Sequence, residues 1–247
     1  MREAHHNQYM THARLRVFAA RVERARNNVR RFFDRCERPY VAFSGGKDST
    51  AMLGLLAEMD LTSIPVFTQA DDLDWPEKRD FCGRVIAQLG FGDYTYAESR
   101  VSALAQLTNL ECGDGVIRGT FSHVVTEYVR AREREGVLMG LRSEESSGRR
   151  MNRACNGSVY RTKAGEWRCT PIVDWCGVDV FAFICSRGLP YFHIYDHDEM
   201  QPSHEIRMSW MLNPSFVDRG AASFLHSHYP THFARLARLN SALWRYV

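Results

Sequence analysis

Apolar residues recur near the start of the chain at Leu15, Phe18, Val22, Ala25, Val29 and Phe32, in steps of three and four, with mostly polar residues between them. That period puts them on one face of a helix within residues 1–38, and Pro39 stops it. The pattern then changes. Tyr40-Val41-Ala42-Phe43 is a continuous apolar run of strand length. Met52, Leu55, Leu56 and Met59 return to helical spacing over about 48–58, and residues 64–68 read as a second strand. Strand, helix and strand in this order predict a right-handed βαβ unit, with ligands at the carboxyl ends of its strands.

Further along, the pattern predicts a helix to Leu89 ended by Gly90, a strand over 94–97, and helices over about 99–110 and 118–134. A strand over 136–142 follows, then a hairpin turning at Lys163-Ala164-Gly165 and a helix over 178–186 that stops at Gly188. Phe233, Leu236, Leu239 and Leu243 mark a last helical stripe. The expected organisation is a basic amphipathic helix over 1–38, an α/β nucleotide-binding domain over 39–200, and a helical extension over 201–247 packed on it.

The chemistry gathers where the first strand meets the helix after it, at Ser44-Gly45-Gly46-Lys47-Asp48-Ser49-Thr50. Paired glycines let backbone amides point into one concavity, and a helix N-terminus adds partial positive charge, so the stretch reads as a phosphate cradle. Lys47 contributes a full charge, the hydroxyls of Ser44, Ser49 and Thr50 contribute donors, and Asp48 can cap the helix or hold magnesium. It is not a Walker loop, because Asp48 and not Ser or Thr follows the lysine.

The second strand should deliver Gln69, Asp71, Asp72 and Asp74 beside this loop. Asp74, just before Trp75-Pro76-Glu77, is assigned to capping the next helix, which leaves Asp71 and Asp72 for the site, with Asp71 a candidate magnesium ligand. Arg142, Arg149 and Arg150 fall on a polar loop after a buried strand and suit an anion, since a guanidinium grips phosphate or sulfate through two parallel bonds.

Composition narrows the classes. With 247 residues, 45% hydrophobic, and a formal charge of +3, the chain can bury a sizeable core and is not governed by extreme charge. No apolar run has the length of a membrane span, and the start lacks an apolar signal core, so a cytoplasmic protein is expected. Charge is uneven, however. Residues 1–38 carry ten arginines against Glu3, Glu23, Asp34 and Glu37, a net of +6 that leaves −3 elsewhere. Such a helix could contact nucleic acid or an acidic partner, form a homodimer seam, or simply pack with a solvated outer face.

The seven cysteines contain no Cys-x-x-Cys pair, and Cys155, Cys169, Cys176 and Cys185 follow no recognisable cluster spacing, so no iron–sulfur centre is expected. Cys155 and Cys169, beside Arg153 and Arg168, are candidate thiolate carriers. His193, His197, His204, His226 and His228 are read as surface or core residues and not as metal ligands.

Four pieces in order resemble the phosphoadenosine phosphosulfate reductase-like branch of the ATP pyrophosphatase (PP-loop) superfamily. They are Ser44 to Ser49, Asp71-Asp-Leu-Asp-Trp-Pro-Glu77, Gly140-Leu-Arg-Ser-Glu-Glu-Ser146, and Arg168-Cys-Thr-Pro-Ile-Val-Asp-Trp175 with Leu189-Pro-Tyr-Phe-His-Ile-Tyr-Asp196. The resemblance implies a Rossmann-like, mainly parallel sheet with helices on both faces. It implies ATP on Ser44, Gly45, Gly46, Lys47, Asp48 and Ser49, lined also by Ala42, Phe67 and Gly140, with a substrate anion at Arg142, Arg149 and Arg150. Lys47, Asp48 and Arg142 would be the catalytic residues, and Mg2+ would accompany ATP.

The reductases' cysteine in Glu-Cys-Gly-Leu-His has no counterpart, since no cysteine follows Cys185. The intact loop is similar instead to that of relatives that split ATP between its α and β phosphates. This implies activation of an acceptor for sulfur incorporation, in DNA phosphorothioation or RNA thiolation, with sulfur from a partner such as a cysteine desulfurase. The alternatives are a sulfonucleotide reductase, a sulfate adenylyltransferase like ATP sulfurylase, and a nucleotide-regulated binding module.

Overall fold

The computed structural model describes residues 1–99, 123–198, 202–208, 221–239 and 241–247. The helix expected over 99–110 lies outside the described residues except for its first position. The single N-terminal helix is two: α1 (Glu3–His12) and α2 (Arg16–Phe33). Leu15, counted in the apolar stripe, has extended backbone before α2 and is 44% exposed, whereas Phe18, Val22, Ala25, Val29 and Phe32 are buried as the period requires.

From there the chain alternates: β1 (Pro39–Ala42), α3 (Lys47–Ala57), β2 (Val66–Ala70), α4 (Lys78–Leu89) and β3 (Tyr94–Glu98). After α5 (His123–Ala131) come β4 (Gly136–Met139), a 3-10 turn (Ser143–Glu145), α6 (Ser147–Asn156) and the hairpin β5 (Val159–Arg161) with β6 (Trp167–Cys169). Then follow α7 (Gly177–Ser186), a 3-10 turn (His193–Asp196), α8 (Ala221–His228), α9 (Pro230–Leu239) and a 3-10 turn (Ser241–Tyr246). Gly90 and Gly188, at φ of 76° and 61°, end α4 and α7 in the left-handed region as expected, and Gly165 turns the hairpin at 89°.

The six strands form one sheet in the order β3-β2-β1-β4-β6-β5, parallel except for β5, which runs antiparallel to β6 at the edge. Neighbouring residues of β1 point to opposite faces. Val41 joins a large cluster with Leu53, Leu55, Leu138, Phe181 and Phe183, while Tyr40 joins Phe67, Val137, Val124 and Tyr128 beneath α5. Both faces are therefore covered, which is the Rossmann-like α/β arrangement. The large cluster also takes in Tyr9 and Phe18 near one end of the chain and Phe233 and Leu243 near the other.

Two local expectations are corrected. Asp74 does not cap α4: Glu77 occupies that position, and the Asp74 carboxylate instead accepts from Lys78 Nζ at 2.7 Å and the Asp71 amide at 2.9 Å. Lys78 is almost fully buried, so its charge needs that partner more than the helix needs a cap. The polar stretch 143–150 is not a loop but the 3-10 turn and the start of α6, whose amide at Arg149 is accepted by Ser146 Oγ.

Candidate functional site

The strand order reverses at β1: the chain moves outward through β2 and β3, then returns to β4 on the other side. Such a reversal opens a crevice beyond the carboxyl ends of the flanking strands. The glycine loop lies there. Gly45 has φ of 77°, and a Cβ on it would sit 3.0 Å from Cys82 Sγ, so the turn needs glycine on both counts. The loop is tied internally: Ser44 Oγ and Ser49 Oγ are 3.0 Å apart, and Ser49 Oγ donates to Gly46 O at 2.9 Å.

At the end of β4, Gly140 lets the neighbouring strand approach the helix, because a Cβ there would come within 2.7 Å of Ser49 Cα and 2.8 Å of the Asp48 carbonyl. Two residues on, the Arg142 guanidinium is buried and ion-pairs with Asp48 and Glu144, while its amide donates to Glu145 Oε2 at 2.9 Å. Glu144 Oε1 also accepts the Gly177 amide at 2.7 Å, at the start of α7. Burial opposes the Arg142 charge, but Asp48 and Glu144 outweigh it and hold the guanidinium above its ordinary value.

Lys47 is only 3% exposed. Its Nζ donates to Ile206 O at 2.7 Å and stands 3.5 Å from Asp48 Oδ2, and its amide donates to Tyr195 Oη at 3.1 Å. Burial pushes the ammonium below its ordinary value, with Asp48 pulling the other way. A cavity of about 380 Å³ opens beside it, lined by Lys47, Arg142, Glu144, Glu145, Cys176, Gly177, Val178, His204, Glu205 and Arg207. Two buried cations line it, both paired with Asp48, so an anion entering would share them with that carboxylate, and the size suits a small ligand.

Most of the residues singled out from sequence thus meet: the loop from Ser44 to Ser49, Gly140 and Arg142 share one rim. Arg149 reaches its edge through an ion pair to Glu145, whereas Arg150 is exposed on α6 and does not line the cavity. Ala42 and Phe67 stand in the strands behind the loop, and the Phe67 ring packs 4.3 Å from that of Tyr128 in the cluster beneath α5. Asp71 Oδ1 accepts from the Leu73 amide at 2.9 Å, and burial, helped by Asp74, raises its carboxyl. Asp72 contributes its carbonyl to Arg235, at 3.1 Å.

Tyr195, Glu144, Ile206 and Arg207 were not singled out. The acid at 144 carried a signal, since it stands two residues after Arg142 in the motif; a carbonyl covering a lysine 159 residues away carries none.

Of the cysteines described, Cys169 is fully buried and its thiol is pushed up by burial, which removes it as a thiolate carrier. Cys155 is exposed, while the neighbouring Arg153 pairs with Asp174 at 3.0 Å. Among the described residues no three His, Cys, Asp or Glu side chains gather as a metal site, and no helix is long and apolar enough to cross a membrane. The basic face of α2 is largely spent within the protein: Arg21 pairs with Asp179, Arg26 with Glu58 and Glu23, and Arg30 with Glu23.

The sequence matches the family model described as "Phosphoadenosine phosphosulfate reductase domain" over residues 38–231. Among solved structures, it is similar to phosphoadenylyl-sulfate reductase from Candida auris in a phosphate complex, at 14% identity and a TM-score of 0.53, over 70% of this chain and 83% of that one. It is also similar to the U34-tRNA thiolase NcsA from Methanococcus maripaludis, which carries a [4Fe-4S] cluster, at 15% identity and a TM-score of 0.53, over 93% of this chain and 81% of that one. At such identity these likenesses establish a shared fold.

Proposed function

The chain belongs to the phosphoadenosine phosphosulfate reductase domain family, and from that membership we propose that it binds ATP and cleaves it between the α and β phosphates, adenylating an acceptor for sulfur incorporation into nucleic acid. The observation that carries the reading is the closed Ser44–Ser49 loop, with Gly45 in the left-handed region and Lys47 at the first turn of α3, set at the sheet's reversal point. In this reading the loop amides and Lys47 hold the β and γ phosphates and stabilise the departing pyrophosphate, so catalysis is electrostatic more than proton transfer. Arg142 orients Asp48 and faces the acceptor's anionic group across the cavity, with Arg207 on the same wall.

Magnesium would supply charge neutralisation on the pyrophosphate. Asp71 suits it, because a carboxyl raised by burial and by Asp74 gains from a nearby cation. Asp48 is committed to Arg142 and Lys47, and would serve the ion only by giving up one of them. The sulfur would come from a partner protein, for which a cysteine desulfurase has the required chemistry.

Product analysis tests the proposal. Incubation with Mg-ATP, nucleic acid and a sulfur donor should yield AMP and pyrophosphate, and Lys47→Ala should abolish that yield without unfolding the protein. ADP and phosphate as products would refute it. Adenylyl sulfate formed from sulfate, or sulfite released from phosphoadenosine phosphosulfate, would replace it with the corresponding sulfate chemistry.

A further inference from the structure

A second cavity, of about 870 Å³, lies at the amino ends of β4 and β6, the end of the sheet opposite the glycine loop. It is walled by α5, by the turn between β5 and β6, and by the connection from α2 to β1. Four elements each send an arginine to it: Arg35 after α2, Arg134 before β4, Arg161 from β5 and Arg168 from β6. Their acidic neighbours are partly engaged already. Glu166 pairs with Arg168 at 3.0 Å, and Glu135 pairs with Arg38, which stands outside the cavity, at 2.8 Å. Glu37 is the remaining acid on the lining against Arg35, Arg134 and Arg161.

The way these arginines are held leaves their charge available. Arg35 donates to a carbonyl, that of Arg31, and Arg161 Nε donates to the carbonyl of Gly165. Arg134 Nε is buried with no hydrogen-bond partner. Among the described residues none of the three is within ion-pairing distance of a carboxylate. The rest of the lining is different in kind: Val125, Val129 and the Trp167 ring make an apolar wall, with the Arg161 guanidinium 5.8 Å from the ring centre.

Cations beside a half-buried ring and aliphatic surface that line an open cavity match a chain of phosphates carrying flat bases. An acidic peptide would use the arginines and leave the wall idle. We propose that this cavity anchors single-stranded nucleic acid, with phosphates on Arg35, Arg134 and Arg161 and a base against Trp167 and Val129. Exposed Arg31 and Lys163, on the adjoining α2 and hairpin turn, extend the positive surface past one nucleotide, as a strand requires. Only the choice of nucleic acid over another polyanion rests on the function proposed above, and the two sites sit at opposite ends of the strands, so they can be tested apart.

The test is fluorescence anisotropy of a labelled single-stranded oligonucleotide, without ATP, between about 50 and 200 mM salt. The intact protein should bind and weaken as salt rises. Arg35→Glu with Arg161→Glu should weaken binding about tenfold or more and lower the salt slope by about 1.4, at about 0.7 per phosphate contact. The charge-matched control, Arg79→Glu with Arg132→Glu on the β3 side, should bind as the parent does; both doubles are checked by circular dichroism, and Arg161→Gln is read if the first double fails to fold. No binding by the intact protein, or equal losses in both doubles, would overturn the site. Poly-glutamate competing at equal charge would reassign it to an acidic peptide, and AMP competing equally per nucleotide would make it a small-molecule pocket. Strand binding by an intact protein that forms no AMP and pyrophosphate from Mg-ATP would defeat the function proposed above and leave this site standing.

Discussion

The phenolic oxygen of Tyr195 accepts the backbone N–H of Lys47 at 3.1 Å, although the two residues are 148 positions apart. The tyrosine is fully buried, and its ring centre lies 5.4 Å from Lys47 Nζ, which itself donates to Ile206 O. The amide and ammonium best placed to hold a phosphate are therefore satisfied by the protein when no anion is bound.

Tyr195→Phe should consequently weaken the ligand-free protein more than the liganded one. Leaving a buried amide unpaired costs about 1–3 kcal/mol, and a bound phosphate removes that cost by accepting the bond itself. Thermal unfolding with and without pyrophosphate should give a larger ligand-induced shift in Tm for the variant than for the parent. An equal or smaller shift would mean that the Tyr195 bond is not the one a phosphate replaces.

Two glycine-to-alanine changes should move stability in opposite directions. At Gly140 the new methyl meets backbone of Ser49 and Asp48 at 2.7–2.8 Å, which must push β4 from α3 at a cost of about 1–3 kcal/mol. At Gly83, inside α4, it meets nothing within 4 Å and should stabilise by about 0.5–1 kcal/mol. Denaturant unfolding of the pair compares them directly.

Asp179 is fully buried and accepts from Arg21 at 2.6 Å, from the Cys176 amide at 2.7 Å, and lies 2.7 Å from His12 Nε2. Burial alone would raise its carboxyl, but the Cys176 amide, His12 and Arg21 together hold it below the ordinary 3.8. A depressed carboxyl stabilises the fold in full above its unfolded value and loses that contribution as pH falls through the folded one. Asp179→Asn should thus cost about 3 kcal/mol at neutral pH, and the gap from the parent should close below pH 3.8. A gap unchanged at low pH would show that the carboxylate charge is not what matters.

His232 stacks on Trp75 at 4.4 Å and is buried with Nε2 unpaired. Burial, then the Arg235 charge, pushes it down to about 4. At pH 7 it is neutral when folded and mostly neutral when unfolded, and so contributes little to the pH dependence there. Between 6.5 and about 4 the unfolded chain takes a proton the folded one refuses, and stability falls by up to about 3 kcal/mol. His232→Phe keeps the stack and removes the proton, so it should flatten that acid limb in pH-resolved melts.

What could be read from the chain was mostly local. The glycine loop, the left-handed stops at Gly90 and Gly188 and the hairpin turn at Gly165 each depend on neighbours in sequence, and each stands where the pattern put it. The break between α1 and α2 was hidden because Leu15 keeps the helical period while lying outside the helix. Asp74 reads as a cap until the buried Lys78 is known to need a counter-charge. Tyr195 stood in a motif without a readable role and Ile206 stayed invisible, because their work is done across 148 and 159 residues, by a hydroxyl and a carbonyl that no local spacing marks.

That last separation has a consequence in time. Ile206 leaves the ribosome 159 residues after Lys47, which at about 5–20 residues per second is roughly 8–30 seconds. Through that interval the strand, glycine turn and helix of the loop are made but the carbonyl that takes the lysine is not. A nascent chain therefore passes through a period in which Lys47 has only the neighbouring Asp48, solvent or a passing anion to hold, and the carbonyl cover from Ile206 arrives late.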